Sequence, residues 1–248
     1  MVTASPRKYA LHYWPTIPGR GELVRLALEY AAVPYVDVAR LPEDEGGGED
    51  ALYKSLDRAH AHTIPFAPPY LRAGDLVIAQ TANILLFIGK HHGLAPGDEA
   101  GWLWTHQVQL TIADFLAEVH DAHHPISVGD YYEDQQAEAA RRTAAFRKSR
   151  MPKFLDYFEK ILERGDGDWV NGDPLSYADL SLFQVVEGCR YAFPRWMHKH
   201  EQKYPRLIAL REGVAALPTI AAYLKSPRRL AFNEDGIFRY YKELDLAD

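Results

Sequence analysis

Gln80 and Thr81 stand where a short apolar run, Leu76 to Ala79, gives way to a helical pattern carried by Ile84, Leu85 and Ile88. A polar pair at a helix start leaves backbone N–H groups unpaired at the positive end of the helix dipole, a combination that suits a small carboxylate. Upstream, Pro68-Pro69 enters an earlier apolar run, and Gly74-Asp75 turns the chain between the two runs. His120, His123 and His124 form another candidate cluster, since histidine-rich tracts bind zinc. No cysteine lies near them, and their spacing beside acids equally describes a polar helix end, so no metal is expected. Ser176, with Asp179 three residues on, has capping-box spacing ahead of an apolar run. Such a cap contributes about 1 kcal/mol to stability and has no part in chemistry.

The elements that must position these groups fall into two halves. Tyr9, Leu11 and Tyr13 alternate on one face of a short strand. Pro15 and Pro18-Gly19 punctuate a loop, and Arg20 leads into a helix with apolar positions Leu23, Leu26, Ala27 and Tyr30. Val33-Pro34 ends that helix and opens a second strand. Glu43 to Asp50, EDEGGGED, is acidic and glycine-rich and predicts an exposed, mobile loop. Beyond a glycine- and proline-bearing stretch from Gly93 to Gly97, helical patterns cover Trp102 to His123, Asp134 to Arg164, Ser176 to Tyr191 and Lys203 to Leu224. The final run, SPRRLAFNEDGIFRYYKELD, carries Phe232, Phe238, Tyr240 and Tyr241, too many aromatic residues for simple disorder. The expected organisation is an α/β unit over residues 1–92, a linker over 93–99 and an all-α unit over 100–248.

Composition narrows the function classes. The 248 residues can bury one or two cores. A net charge of −6, with no long basic run, argues against a nucleic-acid binder. No stretch approaches the roughly 18 consecutive apolar residues of a membrane span, and the first residues lack a signal-peptide core. The single cysteine, Cys189, has no partner for an internal disulfide and fits a reducing, cytoplasmic setting.

Two segments together resemble the tyrosine-type glutathione S-transferases. KYALHYWPTIPGRGELVRLALEYAAVPYVDV is similar to their strand, loop and Arg-Gly-Glu helix, and IPFAPPYLRAGDLVIAQTANILLFIGKHHGLAP to their cis-proline, hairpin and Gln-Ser/Thr pair. Finding both in order, about 60 residues apart, is far more specific than either alone. The resemblance implies a thioredoxin-like βαβ-α-ββα unit followed by an all-helical one. It also implies a homodimer, and glutathione as co-substrate with no further cofactor. It makes Tyr13 the donor that stabilises the glutathione thiolate, with Arg20 orienting it or lying near the peptide. A free thiol has a pKa of about 8.5, so such a donor raises the reactive fraction at neutral pH. Gln80 and Thr81 would hold the γ-glutamyl end, the Thr81 N–H and hydroxyl donating to its carboxylate. Pro69 fits the cis position, although Pro68, lacking an N–H, departs from the family pattern and leaves open that Pro68 is the cis residue. Lys54 and Arg58 are candidates for the glycyl carboxylate. Asp114, or Asp121 if the linker carries an insertion, would be the acid reaching across a dimer. Trp14, Phe115, Tyr131 and Tyr132 are candidates for the second-substrate pocket.

Conjugation of glutathione to electrophilic, largely apolar small molecules is the leading expectation. A glutathione-dependent isomerase or peroxidase on the same scaffold is the enzymatic alternative, and a glutathione-binding homologue without catalysis the non-enzymatic one. The thiol-oxidoreductase branch needs a cysteine in the first loop, and Cys189 sits in the helical half.

Overall fold

The computed structural model describes residues 9–57 and 63–246. Four strands, β1 (Tyr9–His12), β2 (Tyr35–Asp37), β3 (Tyr70–Ala73) and β4 (Leu76–Ala79), form one sheet in the order β2-β1-β3-β4. β1 and β2 run parallel with Tyr9 opposite Tyr35, joined by the crossover helix α1 (Gly21–Tyr30). β3 pairs antiparallel with β1 and with β4. Gly74, at φ 65°, supplies the left-handed residue that the tight β3–β4 turn needs. α2 (Gly48–Asp57) precedes β3, and α3 (Thr81–His92) follows β4. Glu43 to Asp50 is therefore not a loop throughout. Glu43–Glu45 make a 3₁₀ turn, and α2 begins at Gly48, with the left-handed Gly46 and Gly48 carrying the chain into it.

The remainder is helical. α4 (Glu99–His123) is capped by Asp98, whose Oδ1 accepts from the Gly101 N–H at 2.9 Å. The expected helix over Asp134 to Arg164 is observed as α5 (Gln136–Ala145), a π-helical turn Phe146–Arg150, and α6 (Met151–Arg164). α7 (Tyr177–Ala192) has 13 of 16 residues buried, which makes it the central post of the helical half. Its N-terminus carries the capping box: Asp179 accepts from the Ser176 N–H at 2.8 Å and from the Ser176 hydroxyl at 2.7 Å. α8 (Pro194–His200) was not visible in the sequence pattern, being only two turns long. The span from Lys203 to Leu224 divides into α9 (Pro205–Ala216) and α10 (Pro218–Leu224), bent by 82°. Pro218 causes the break, because it cannot donate to the preceding turn and turns Leu217 extended.

One continuous core runs through both halves, from Leu11, Leu26 and Ile84 in the sheet half to Phe115, Leu180 and Phe183 in the helical half. The sequence read Tyr9, Leu11 and Tyr13 as one strand face, and all three are buried together. No single helix is long and apolar enough to cross a membrane among the described residues.

Candidate active site

Tyr13 lies one residue past β1 and is buried. Its hydroxyl oxygen accepts from the Arg20 backbone N–H at 2.9 Å, and its ring packs on the Gly19-Arg20-Gly21 backbone. A Cβ at Gly19 would fall 2.1 Å from that hydroxyl, and one at Gly21 would fall 2.3 Å from the ring. The two glycines are thus the reason a tyrosine fits against the start of α1. Burial pushes the Tyr13 pKa up, so the phenol keeps its proton and can donate it in a hydrogen bond. Tyr9 is engaged elsewhere, its hydroxyl 2.8 Å from His92 Nε2.

Across from Tyr13, β4 hands over to α3 through Gln80. Gln80 adopts φ 67°, a left-handed conformation that costs a non-glycine residue about 1 kcal/mol or more and is typical of functional sites. Thr81 opens the helix with its side chain buried, and its Oγ1 has no hydrogen-bond partner among the described residues. Arg20, Gln80, Thr81 and Asn83 line a cavity of about 230 Å³, closed on the far side by His106, Gln109 and Leu110 of α4. The structure thus brings together Arg20, Gln80 and Thr81, with Tyr13 bound to Arg20's backbone. The Pro68–Pro69 peptide is cis, which makes Pro69 the cis residue.

Other expected site residues lie apart from this cavity. Lys54 is exposed, 3.9 Å from Asp50, and lines a polar hollow with Glu43, Gly47 and Arg72. Arg58 lies outside the described residues. Asp114 is exposed on the side of α4 that faces α6, in a cleft with Glu118, Arg150 and Tyr157. Asp121, also exposed, has Oδ1 3.5 Å from His120 Nδ1.

The proposed apolar wall is corrected in all four members. Phe115 is fully buried between Phe146 and Phe154, with ring centroids 5.9 and 5.3 Å away, and is core. Tyr132 stacks on Tyr241 at 3.8 Å and donates to Glu243 Oε1 at 2.9 Å, which pins the chain's last turn. Tyr131 is 77% exposed. Trp14 turns to α2, edge-on to Tyr53 at 5.7 Å. Residue type alone cannot separate an aromatic facing the core from one facing a pocket, which is why these were misread.

The C-terminal run is ordered and folds back. Asn233 Nδ2 donates to the Thr16 carbonyl at 2.9 Å, in the loop between Tyr13 and Arg20. His123 Nε2 donates to the Ile237 carbonyl at 2.8 Å, and Phe238 fills the space a side chain at Gly188 would take. His120, His123 and His124 pack with ring centroids 4.8–5.4 Å apart. Burial lowers the pKa of His123 to about 3, so it stays neutral at physiological pH. Among the described residues, no group of three His, Cys, Asp or Glu side chains is arranged to hold a metal ion.

The residues that sequence reasoning missed are His106, Gln109 and Asn83. His106 and Gln109 share one face of α4 with Ala113 and Leu116, a helical stripe in which two polar side chains interrupt an apolar run. That interruption was the available signal.

Comparison with known proteins places likenesses over most of the chain. Residues 120–227 match the family model of the glutathione S-transferase C-terminal domain. The chain is 23% identical to a glutathione S-transferase of Plasmodium yoelii yoelii, over 86% of this chain and 92% of the relative. It is 26% identical to the hematopoietic prostaglandin D synthase of Gallus gallus, over 90% of this chain and 98% of the relative. The structure of the Pi-class glutathione S-transferase of Onchocerca volvulus superposes with a TM-score of 0.68 at 21% identity, covering 92% of this chain and 98% of that one. The chain is thus similar to glutathione S-transferases over most of its length and shares their fold, a thioredoxin-like sheet half followed by a helical half.

Proposed function

We propose that this protein is a glutathione transferase that adds the glutathione thiolate to electrophilic small molecules, with Tyr13 donating to the sulfur. The observation that carries the reading is the Tyr13 hydroxyl, whose oxygen is already satisfied by the Arg20 N–H, so its own proton is free for an anion. Arg20, Gln80 and Thr81 take the γ-glutamyl end, supported by the cavity they share and by the unpartnered Thr81 hydroxyl. Lys54, in the hollow beside Arg72, takes the glycyl carboxylate. In this reading residues 1–92 bind glutathione, and residues 100–248 with the folded-back tail carry the second substrate.

The test is Tyr13→Phe. It should lower kcat/KM for conjugation by roughly 10- to 1000-fold, about 1.4–4 kcal/mol of lost thiolate stabilisation, with glutathione affinity within a few-fold of wild type. The pKa of the bound thiol should rise towards its free value. An unchanged pH–rate profile in Tyr13→Phe removes the residue from the mechanism.

The prostaglandin D synthase relative favours a second reading, a glutathione-dependent isomerase on the same scaffold. A panel of electrophiles and isomerisable substrates separates the two by which is turned over faster. The protein acts as a homodimer in which the exposed Asp114 is offered to a partner's γ-glutamyl site. Light scattering at micromolar concentration tests that assembly, and a monomer would rule it out.

A further inference from the structure

The cavity beside Thr81 has a wall that the glutathione contacts proposed above do not use. Gln109 of α4 lines it and is only 1% exposed. Its Oε1 accepts from the Ser181 hydroxyl of α7 at 2.7 Å, which fixes the amide, while its Nε2 has no partner among the described residues. One turn earlier, His106 lines the same cavity, and its Nδ1 also has no partner among the described residues. Buried polar groups are nearly always hydrogen-bonded, so three residues that line one cavity and each carry such an atom, counting Thr81, mark a place for a polar ligand group. Their chemistry is complementary. Gln109 Nε2 and Thr81 Oγ1 are donors on residues that share the cavity with Arg20 and with the N-terminus of a 12-residue helix, a setting for a carboxylate. Burial lowers the His106 pKa, which keeps its ring neutral, and in the Nε2–H tautomer Nδ1 presents a lone pair, a setting for an ammonium.

We infer that Gln109 and His106 form, within a single chain, the second wall of the pocket for the γ-glutamyl α-amino-acid group, Gln109 donating to its carboxylate and His106 accepting from its ammonium. This rests on the glutathione reading and adds to it α4 residues of the same chain. Asp114 cannot play this part in its own chain, because it stands on the side of α4 that faces α6. The cavity of about 230 Å³ has room for an amino-acid end, at about 30 Å³ for each water displaced.

The test is calorimetric binding to the full-length protein of glutathione, of 4-aminobutyryl-cysteinylglycine, which lacks the γ-glutamyl carboxylate, and of glutaryl-cysteinylglycine, which lacks the ammonium. Wild type should prefer glutathione to either analogue by about tenfold or more. Gln109→Leu should shrink the preference over the carboxylate-free analogue by about tenfold, and His106→Phe the preference over the ammonium-free one by about the same factor. Gln109→Glu keeps an acceptor for Ser181 Oγ but loses the donor, so it should also bind glutathione about tenfold more weakly, which a purely structural Gln109 would not do. Unchanged preferences in these variants, or equal losses for glutathione and both analogues, overturn the wall while leaving the glutathione reading standing. Wild type that binds none of the three peptides overturns the glutathione reading itself, and the wall with it.

Discussion

Glu22 and Thr81 are both buried polar side chains in the first turn of a helix, α1 and α3 respectively, yet they meet opposite surroundings. Glu22 Oε1 accepts from the Tyr223 hydroxyl at 2.5 Å and also from Arg229 Nη1. Its Oε2 accepts from Arg25 Nη1 at 3.4 Å. Arg25 in turn gives Nε to Asp37 Oδ2 at 2.7 Å, and Arg229 gives Nη2 to Gln184 Oε1 at 2.8 Å. That network ties α1 and β2 to α7, α10 and the tail, so it joins the two halves. Thr81 instead lines a cavity, and its hydroxyl has no partner among the described residues. Arg25 Nη2 and Asp37 Oδ1 of that network also have no partner among the described residues, but each of its side chains is paired through another atom, whereas the Thr81 hydroxyl is paired through none.

The comparison breaks most visibly at Glu22. Glu22→Ala leaves the buried Arg25 and the partly buried Arg229 without their shared acceptor and should destabilise the protein by on the order of 3–5 kcal/mol, read from denaturant unfolding. A loss below about 1 kcal/mol would mean that the network is incidental to stability.

Thr81→Val should do the reverse and with a smaller effect. Replacing an unpartnered buried hydroxyl by a methyl group should leave the unfolding free energy unchanged or slightly raised. The KM for glutathione should rise by about 5- to 10-fold, roughly 1 kcal/mol, with little change in kcat, since the contact is far from the reacting sulfur. A destabilised Thr81→Val variant with an unchanged KM would make Thr81 a structural residue like Glu22 and end the distinction.

Much of this contrast was already legible in the residues. The Gln80-Thr81 helix start, the proline pair, the turn at Gly74-Asp75 and the Gly19-Arg20-Gly21 run are local features. Each follows from what a few neighbouring residues permit the backbone to do, so order and motif sufficed to find them. The capping box of Ser176 and Asp179 was legible for the same reason. The misreadings have the opposite character. Phe115, Tyr131 and Tyr132 were assigned to a pocket wall by residue type, and the packing of α5, α6 and the tail sent them to core, solvent and a tail contact. The glycine-rich Glu43 to Asp50 run formed a 3₁₀ turn and the start of α2, because Gly46 and Gly48 accept the left-handed conformations that link them.

By itself the sequence determined the division into a mixed first half and a helical second half, and the residues at the two chain turns where Tyr13 and Thr81 sit. Tertiary structure alone decided which face of α4 meets the start of α3. It therefore decided that Gln109 and His106 share a cavity with Thr81, whereas Asp114 looks the other way. The physical reason is range. A turn or a cap is fixed by residues a few positions apart, whereas the rotation of a 25-residue helix that is apolar on more than one side is fixed only when α3, α5 and α7 close around it.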